Sequence, residues 1–152
     1  MQTKLRKLIE DYLKEAKLMQ VATSKGNQPW ACSVYFAYDK DLNLYWISTP
    51  TRRHSQEIEN NSNVAGTIVL PHTPGDPVRG IQFQGTAKSL GKLGSAKALR
   101  YYMKRFGMPL KRVRDILEKR DKHVCYAIKP NLIVLFDEVN FPDNSRQEYK
   151  VK

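Results

Sequence analysis

The chain has 152 residues, of which 41% are hydrophobic and 27% are charged, a balance that is ordinary for one soluble globular domain. Such a composition excludes a disordered chain, a collagen-like fibre and a disulfide-dense secreted module. Twenty-six Lys and Arg against 15 Asp and Glu give a net charge of +11. That charge favours an anionic partner, either nucleic acid, a membrane surface or a phosphorylated small molecule.

Helical spacing and alternation predict the first elements of the chain. Apolar residues recur every three or four positions in an N-terminal helix within residues 1–18. Strands are predicted over residues 19–24, 29–38, 42–48, 64–70 and 78–90. The second and third of these strands are expected to form a hairpin, and a short helix is expected to begin at Arg52 to His54. A proline-rich loop spans 71–77.

The second half of the chain is predicted to insert helices before its last strands. Residues 94–120 have the pattern of two helices, 94–106 and 110–119. Strands follow over 123–128 and 132–139, joined by a turn at 129–131 that contains a proline. The tail, 141–152, is polar and is expected to be loose.

These elements predict one domain over residues 1–152, mainly β with peripheral helices. The strands, within 19–90 and 123–140, are mostly neighbours in sequence with short links, which favours antiparallel pairing. A six- to seven-stranded antiparallel barrel therefore fits best. A doubly wound parallel sheet fits poorly because strands and helices do not alternate regularly.

No signal for export, membrane insertion or metal binding is present. No window approaches the roughly 18 consecutive apolar residues of a membrane-spanning helix, and residues 1–10 lack the apolar segment of a signal peptide. The two cysteines, Cys32 and Cys125, lie in apolar runs without metal-ligand spacing. We expect two buried, reduced thiols, no metal site and a cytoplasmic protein.

The strongest chemical signal is a candidate phosphate site at the start of the second helix. Helix N-termini offer free N–H groups and the positive end of the helix dipole to anions. Hydroxyl groups and two guanidinium groups could add donors here. The residues concerned are Ser48, Thr49, Thr51, Arg52 and Arg53. A solvated basic turn is the alternative, and the absence of Gly-rich phosphate loops disfavours ATP and NAD.

A second basic segment, 97–122, interleaves lysine and arginine with Tyr101, Tyr102 and Phe106. Such a pattern suits a nucleic-acid surface with stacking aromatics. The more common alternative is a solvated helix face whose aromatics point inward. No nucleophile motif accompanies either segment, and the adjacent carboxylates of the chain point in different directions.

The order of several short motifs resembles the pyridoxamine 5'-phosphate oxidase-like family of split-barrel flavin-binding proteins, in particular a small branch of it. These motifs are Ala22-Thr23, Pro29, the run LYWISTPTRRHSQEI over 44–58, NVAGTIV over 63–69 and RGIQFQGTA over 79–87. The resemblance implies flavin mononucleotide (FMN) as the cofactor, a homodimer with FMN in a cleft between subunits, and oxidoreductase chemistry on a small molecule.

The resemblance also implies which residues hold FMN. The phosphate would be held by Ser48, Thr49, Arg52, Arg53 and His54. The ring would lie near the Ile47 backbone, near Ser33, Val34 and Tyr35 on one strand, and near Gly80 and Gln82 on another. Trp30, Tyr35 or Trp46 could stack on substrate, or belong to the core or a dimer interface.

Departures from the family pattern leave alternatives open. His54 stands where lysine is common, so a neutral imidazole would provide one donor in place of a full charge. Vitamin B6 oxidation is not expected, because the C-terminal Arg-Leu-x-Pro stretch of those oxidases is missing. The alternatives are the deazaflavin F420 or haem as cofactor, a pyridine nucleotide as redox partner, and a non-enzymatic protein that stores a cofactor or binds nucleic acid.

Overall fold

A computed structural model describes every residue from Met1 to Lys152. The helices are α1 (Gln2–Glu15), α2 (Arg53–Asn60), α3 (Lys92–Phe106) and α4 (Leu110–Leu117). The strands are β1 (Leu18–Lys25), β2 (Gln28–Tyr35), β3 (Ala37–Tyr38), β4 (Leu44–Ser48), β5 (Asn63–Val69), β6 (Arg79–Ser89), β7 (Val124–Asp137) and β8 (Arg146–Lys150). This confirms a mainly β fold with peripheral helices, with eight strands in place of six or seven.

Helix α1 covers the barrel because its apolar residues fall on one face. Leu5, Ile9 and Leu13 are at most 1% exposed and belong to the main core of 22 residues. The helix ends where Ala16 turns to an extended conformation, two residues before β1. The predicted N-terminal helix is confirmed. None of the four helices is both long and apolar enough to span a membrane.

The sheet is antiparallel throughout and curls round on itself. Its strands are hydrogen-bonded in the order β2-β1-β5-β6-β7-β4-β3, with β8 added beside β7. β2 and β3 stand at opposite ends of this order, yet only Phe36 separates them in the chain. The two ends of the sheet must therefore meet at Phe36, which makes the structure the predicted split barrel.

Closure at Phe36 changes the predicted strand over 29–38. The run is two strands with different partners, because β2 pairs with β1 along its whole length and β3 pairs with β4. The expected hairpin with 42–48 involves only Ala37 and Tyr38. Phe36 is fully buried, and its N–H donates to the Lys17 carbonyl at 3.3 Å.

β7 is one continuous strand, so the turn predicted at 129–131 is wrong. The pairing with β6 shifts register between Gln84 and Gly85, where a bulge takes up the extra residue. Pro130 is tolerated there because β7 changes its other partner at that point, from β4 over 124–128 to β8 over 132–136. The missing N–H of the proline therefore interrupts no ladder on that side.

The expectation of a loose tail over 141–152 is also wrong. β8 pairs with β7, and the half-buried Gln147, Tyr149 and Val151 alternate with exposed residues. Tyr149 and Val151 pack against the main core. This period of two is a strand signal that the polar composition conceals.

The predicted helical insertion is confirmed as α3 and α4, which pack over β4 and β7. They share a small second core, formed by Tyr45, Ala98, Leu99, Val113, Ile116 and Cys125. Tyr102 is buried in this region, whereas Tyr101 and Phe106 are partly exposed. The prediction of buried, reduced thiols holds for Cys125, but Cys32 on the edge strand β2 is only half-buried; both are free.

The outer surface of β2, β1, β5 and β6 carries two rows of uncharged side chains, which we call the uncharged face. One row is Ser33, Gln20, Thr67 and Gln82, and the next is Ala31, Ala22, Ala65 and Gln84. All are exposed or half-exposed. On a chain with 27% charged residues, eight adjacent uncharged positions form a distinct surface.

Candidate functional site

The end of β4 and the start of α2 bring the predicted phosphate residues together. The chain leaves the barrel at Ser48, turns through Thr49 to Thr51, and enters the helix at Arg53. Ser48 and Thr49 are buried, and Arg52 and Arg53 are exposed. Thr49 Oγ1 lies 3.2 Å from Thr51 Oγ1. The arrangement follows from local sequence, because all these residues are within seven positions of one another.

The first turn of α2 has free hydrogen-bond donors. Its N-cap, Arg52, is extended and supplies no side-chain cap, and the first turn contains no acidic residue. The amides of Arg53, His54 and Ser55 have no acceptor within the protein. The Ser55 side chain is fully buried and lies beside the Tyr126 hydroxyl, so it does not belong to this set of donors. The three amides fit a phosphate oxygen shell.

Arg53 is held in place by residues that sequence reasoning did not select. Its guanidinium lies 4.2 Å from the centre of the Trp30 ring, and its Nε donates to Glu57 Oε1 at 2.9 Å. Glu57 is buried, and its other oxygen accepts from the Thr23 hydroxyl at 2.6 Å. The spacing of Arg53 and Glu57, four positions along a helix, was the signal available in the sequence. Their contact leaves both Nη groups of Arg53 free.

His54 faces the barrel rather than solvent. It is 8% exposed, and its Nε2 lies 2.8 Å from Ser48 Oγ. Burial lowers the pKa of His54, the nearby Arg52 lowers it further, and Glu57 opposes both. The fold therefore favours the neutral form of His54, whose ring joins α2 to the end of β4 through Ser48.

The stability of the protein is expected to fall as the pH falls below about 6.5, the pKa of a free histidine. The unfolded chain binds a proton at His54 more readily than the folded one, so acid favours unfolding. Between pH 7 and pH 5, the melting temperature of His54→Gln should fall by less than that of the wild type, as measured by calorimetry. His72→Gln, in an exposed loop, is the matched control. Equal losses in all three proteins would contradict the role of His54.

The remaining predicted residues lie on β2, β4 and β6. Ser33 and Gln82 share one row of the uncharged face, and Gly80 follows on the same side of β6. Tyr35 is 61% exposed at the end of β2. Val34 packs against the core, so its side chain does not face this surface.

Ile47 and Tyr35 are linked through α3. The Tyr102 hydroxyl donates to the Tyr35 carbonyl at 2.5 Å and lies beside the Ile47 backbone. Phe106 packs edge-on against Tyr35, with ring centres 5.7 Å apart. Of the three aromatic candidates, Trp30 and Tyr35 are exposed, whereas Trp46 is buried and stacks on Tyr126.

Comparison with known sequences gives one family. The profile of the pyridoxamine 5'-phosphate oxidase family matches residues 5–133. A UPF0306 protein of Pasteurella multocida is 31% identical over 99 residues. That match covers 64% of this chain and 66%, just under two thirds, of the relative.

Solved structures of low sequence identity share the fold. A heme-binding protein from Mycobacterium smegmatis has a TM-score of 0.71 at 12% identity, over 94% of this chain and 57% of that one. HutZ, the heme storage protein of Vibrio cholerae, has a TM-score of 0.65 at 17% identity, over 80% of this chain and 87% of that one. The split barrel and the match over residues 5–133 lead to one conclusion: the chain belongs to the pyridoxamine 5'-phosphate oxidase family.

Proposed function

We propose that the protein binds FMN, with the phosphate at the first turn of α2, and acts as a flavin-dependent oxidoreductase on a small substrate. One observation carries the proposal: three adjacent amides without acceptors lie next to two arginines at the end of a barrel strand. Membership of a family with flavin-binding relatives supports it. The bound flavin would supply hydride or electron transfer, so the chain needs no acid–base pair of its own.

The α2 turn suits a dianion better than it suits water. Arg52 and Arg53 are cations at the positive end of a helix dipole, an arrangement that is unfavourable without an anion. Phosphate would remove this conflict and accept from the amides of the turn. Trp30 and Glu57 restrict the Arg53 guanidinium, so less side-chain entropy is lost when its free Nη groups bind.

We also propose that two copies associate through the uncharged face. Depletion of charge is typical of the central part of a protein interface. Leu18, Tyr35 and Val69 add exposed apolar area on the same side of the sheet, at 43%, 61% and 47% exposure. Ser33, Gly80 and Gln82 lie on this side, so the flavin ring is expected at the boundary between copies.

Absorption spectroscopy tests the cofactor directly. Purified protein soaked in FMN and desalted should keep the visible bands of flavin at about one per chain, and its sedimentation should give twice the mass of one chain. F420 and haem are tested in parallel, because two neighbours of the same fold are haem proteins. Retention of haem or F420 but not FMN would contradict the proposal.

A further inference from the structure

A cleft of about 490 Å³ lies where α3 meets the outer surface of β4, β7 and β6. We call it the lysine cleft. Its charged lining residues are all lysines, and the others are apolar or uncharged polar residues. The lining includes Lys88, Lys97, Lys129, Tyr45, Leu90 and Ala127.

Strand register fixes the positions of two of the lysines. Lys88 lies opposite Ala127, and Lys129 lies opposite Thr86, so the two lysines are diagonal neighbours on β6 and β7. Diagonal side chains of a sheet have Cβ atoms about 7–8 Å apart or slightly less, close enough for both ammonium groups to reach one anion. Both are exposed, and neither has an ion-pair partner.

The third lysine is already neutralised. Lys97 Nζ lies 2.8 Å from Asp39 Oδ2, which also accepts from the Tyr45 hydroxyl at 2.7 Å. The Asp39 side chain is fully buried, and hydrogen bonds from Asn43, Lys97 and Tyr45 lower its pKa to about 2 despite burial. Glu59, on the bordering helix α2, accepts from Ser89 at 3.2 Å. That bond leaves the charge of Glu59 in place beside Ser89, but Glu59 is not part of the cleft lining, and neither Lys88 nor Lys129 forms an ion pair with it.

The start of α3 borders the cleft at Gly94. Gly91 caps this 15-residue helix without a side chain, and no acidic residue lies in the first turn. The amides of Lys92, Leu93 and Gly94 have no acceptor within the protein, and Gly94 lines the cleft. Two free ammonium groups and the free Gly94 amide together favour a phosphate group.

We propose that the lysine cleft binds the phosphate of a small phosphate monoester, whose organic part lies against Leu90 and Ala127. This site is separate from the α2 turn and does not depend on the proposed flavin function. Strand pairing places its lysines on β6 and β7, whereas the α2 turn follows β4.

Adenosine 5'-monophosphate is a suitable probe, with adenosine as the control that lacks phosphate. Titration of the full chain, followed by amide NMR shifts, should move Lys88, Gly94 and Ala127 with the monophosphate and not with adenosine. The double variant Lys88→Gln/Lys129→Gln should raise the dissociation constant at least about tenfold. The control Lys122→Gln/Lys152→Gln removes the same charge at exposed positions outside the cleft. It should change the dissociation constant by less than about twofold.

Three results would overturn the proposal. If both double variants bound adenosine 5'-monophosphate equally more weakly, the cause would be the general charge of the protein rather than the cleft. Loss of monophosphate binding in Arg53→Ala, with the cleft variant unaffected, would place the phosphate at the α2 turn instead. Binding of a short single-stranded RNA to the cleft, without binding of the monophosphate, would indicate a nucleic-acid surface. Failure of FMN to bind would leave the cleft experiment unaffected.

Discussion

Replacing Arg53 with alanine is expected to weaken FMN binding by roughly 10- to 150-fold. The change removes a charged hydrogen bond to the phosphate, which is worth about 1.5–3 kcal/mol. It also leaves the buried carboxylate of Glu57 without its arginine, next to the proposed dianion. Glu57 would then repel the ligand, so the loss should lie toward the upper end of the range. Isothermal titration calorimetry with FMN gives the dissociation constants.

Two further variants make the Arg53 result specific. Arg100→Ala removes an exposed arginine from α3 and should leave FMN affinity unchanged within about twofold. Arg53→Lys keeps the charge but loses the planar guanidinium that stacks on Trp30. Its affinity for FMN should lie between those of the wild type and Arg53→Ala. If Arg53→Ala binds FMN as well as the wild type does, the phosphate does not lie at the α2 turn.

Replacing Phe36 with alanine is expected to lower the free energy of unfolding by about 3–5 kcal/mol. Phe36 is fully buried in the main core at the point where the two ends of the sheet meet. The Arg105 guanidinium lies over its ring at 5.0 Å, so truncation also exposes a partly buried cation to a cavity. Urea denaturation followed by circular dichroism measures the change.

Leu93→Ala is the matched control for the Phe36 variant. Leu93 is also a large apolar residue, but it is 89% exposed on α3. Its replacement should alter stability by less than about 0.5 kcal/mol, since surface substitutions away from packed features have small effects. If Leu93→Ala and Phe36→Ala lowered the free energy of unfolding by similar amounts, packing of Phe36 between the two ends of the sheet would not be what stabilises the fold.

The candidate site divides into a part that local sequence predicts and a part that it does not. Ser48 to His54 are contiguous, so the end of β4 and the start of α2 place them together whatever the rest of the fold does. Thr23 and Trp30 reach the site only because β1 and β2 pass beside α2. Their positions depend on strand pairing, which no local pattern contains.

The sequence by itself determined the kinds of element, because periods of 3.6 and 2 are properties of neighbouring residues. It therefore predicted α1, the α3–α4 insertion and an antiparallel barrel, whereas the split form of the barrel was implied by the resemblance of short motifs to a known family. Phosphate binding at the α2 turn stays a prediction. Tertiary structure decided which strands pair: Phe36 divides one β-rich run between two partners, Pro130 lies where β7 exchanges β4 for β8, and β8 gains its place beside β7. Each of these depends on hydrogen bonds and packing with residues far along the chain, and only the folded barrel supplies those partners.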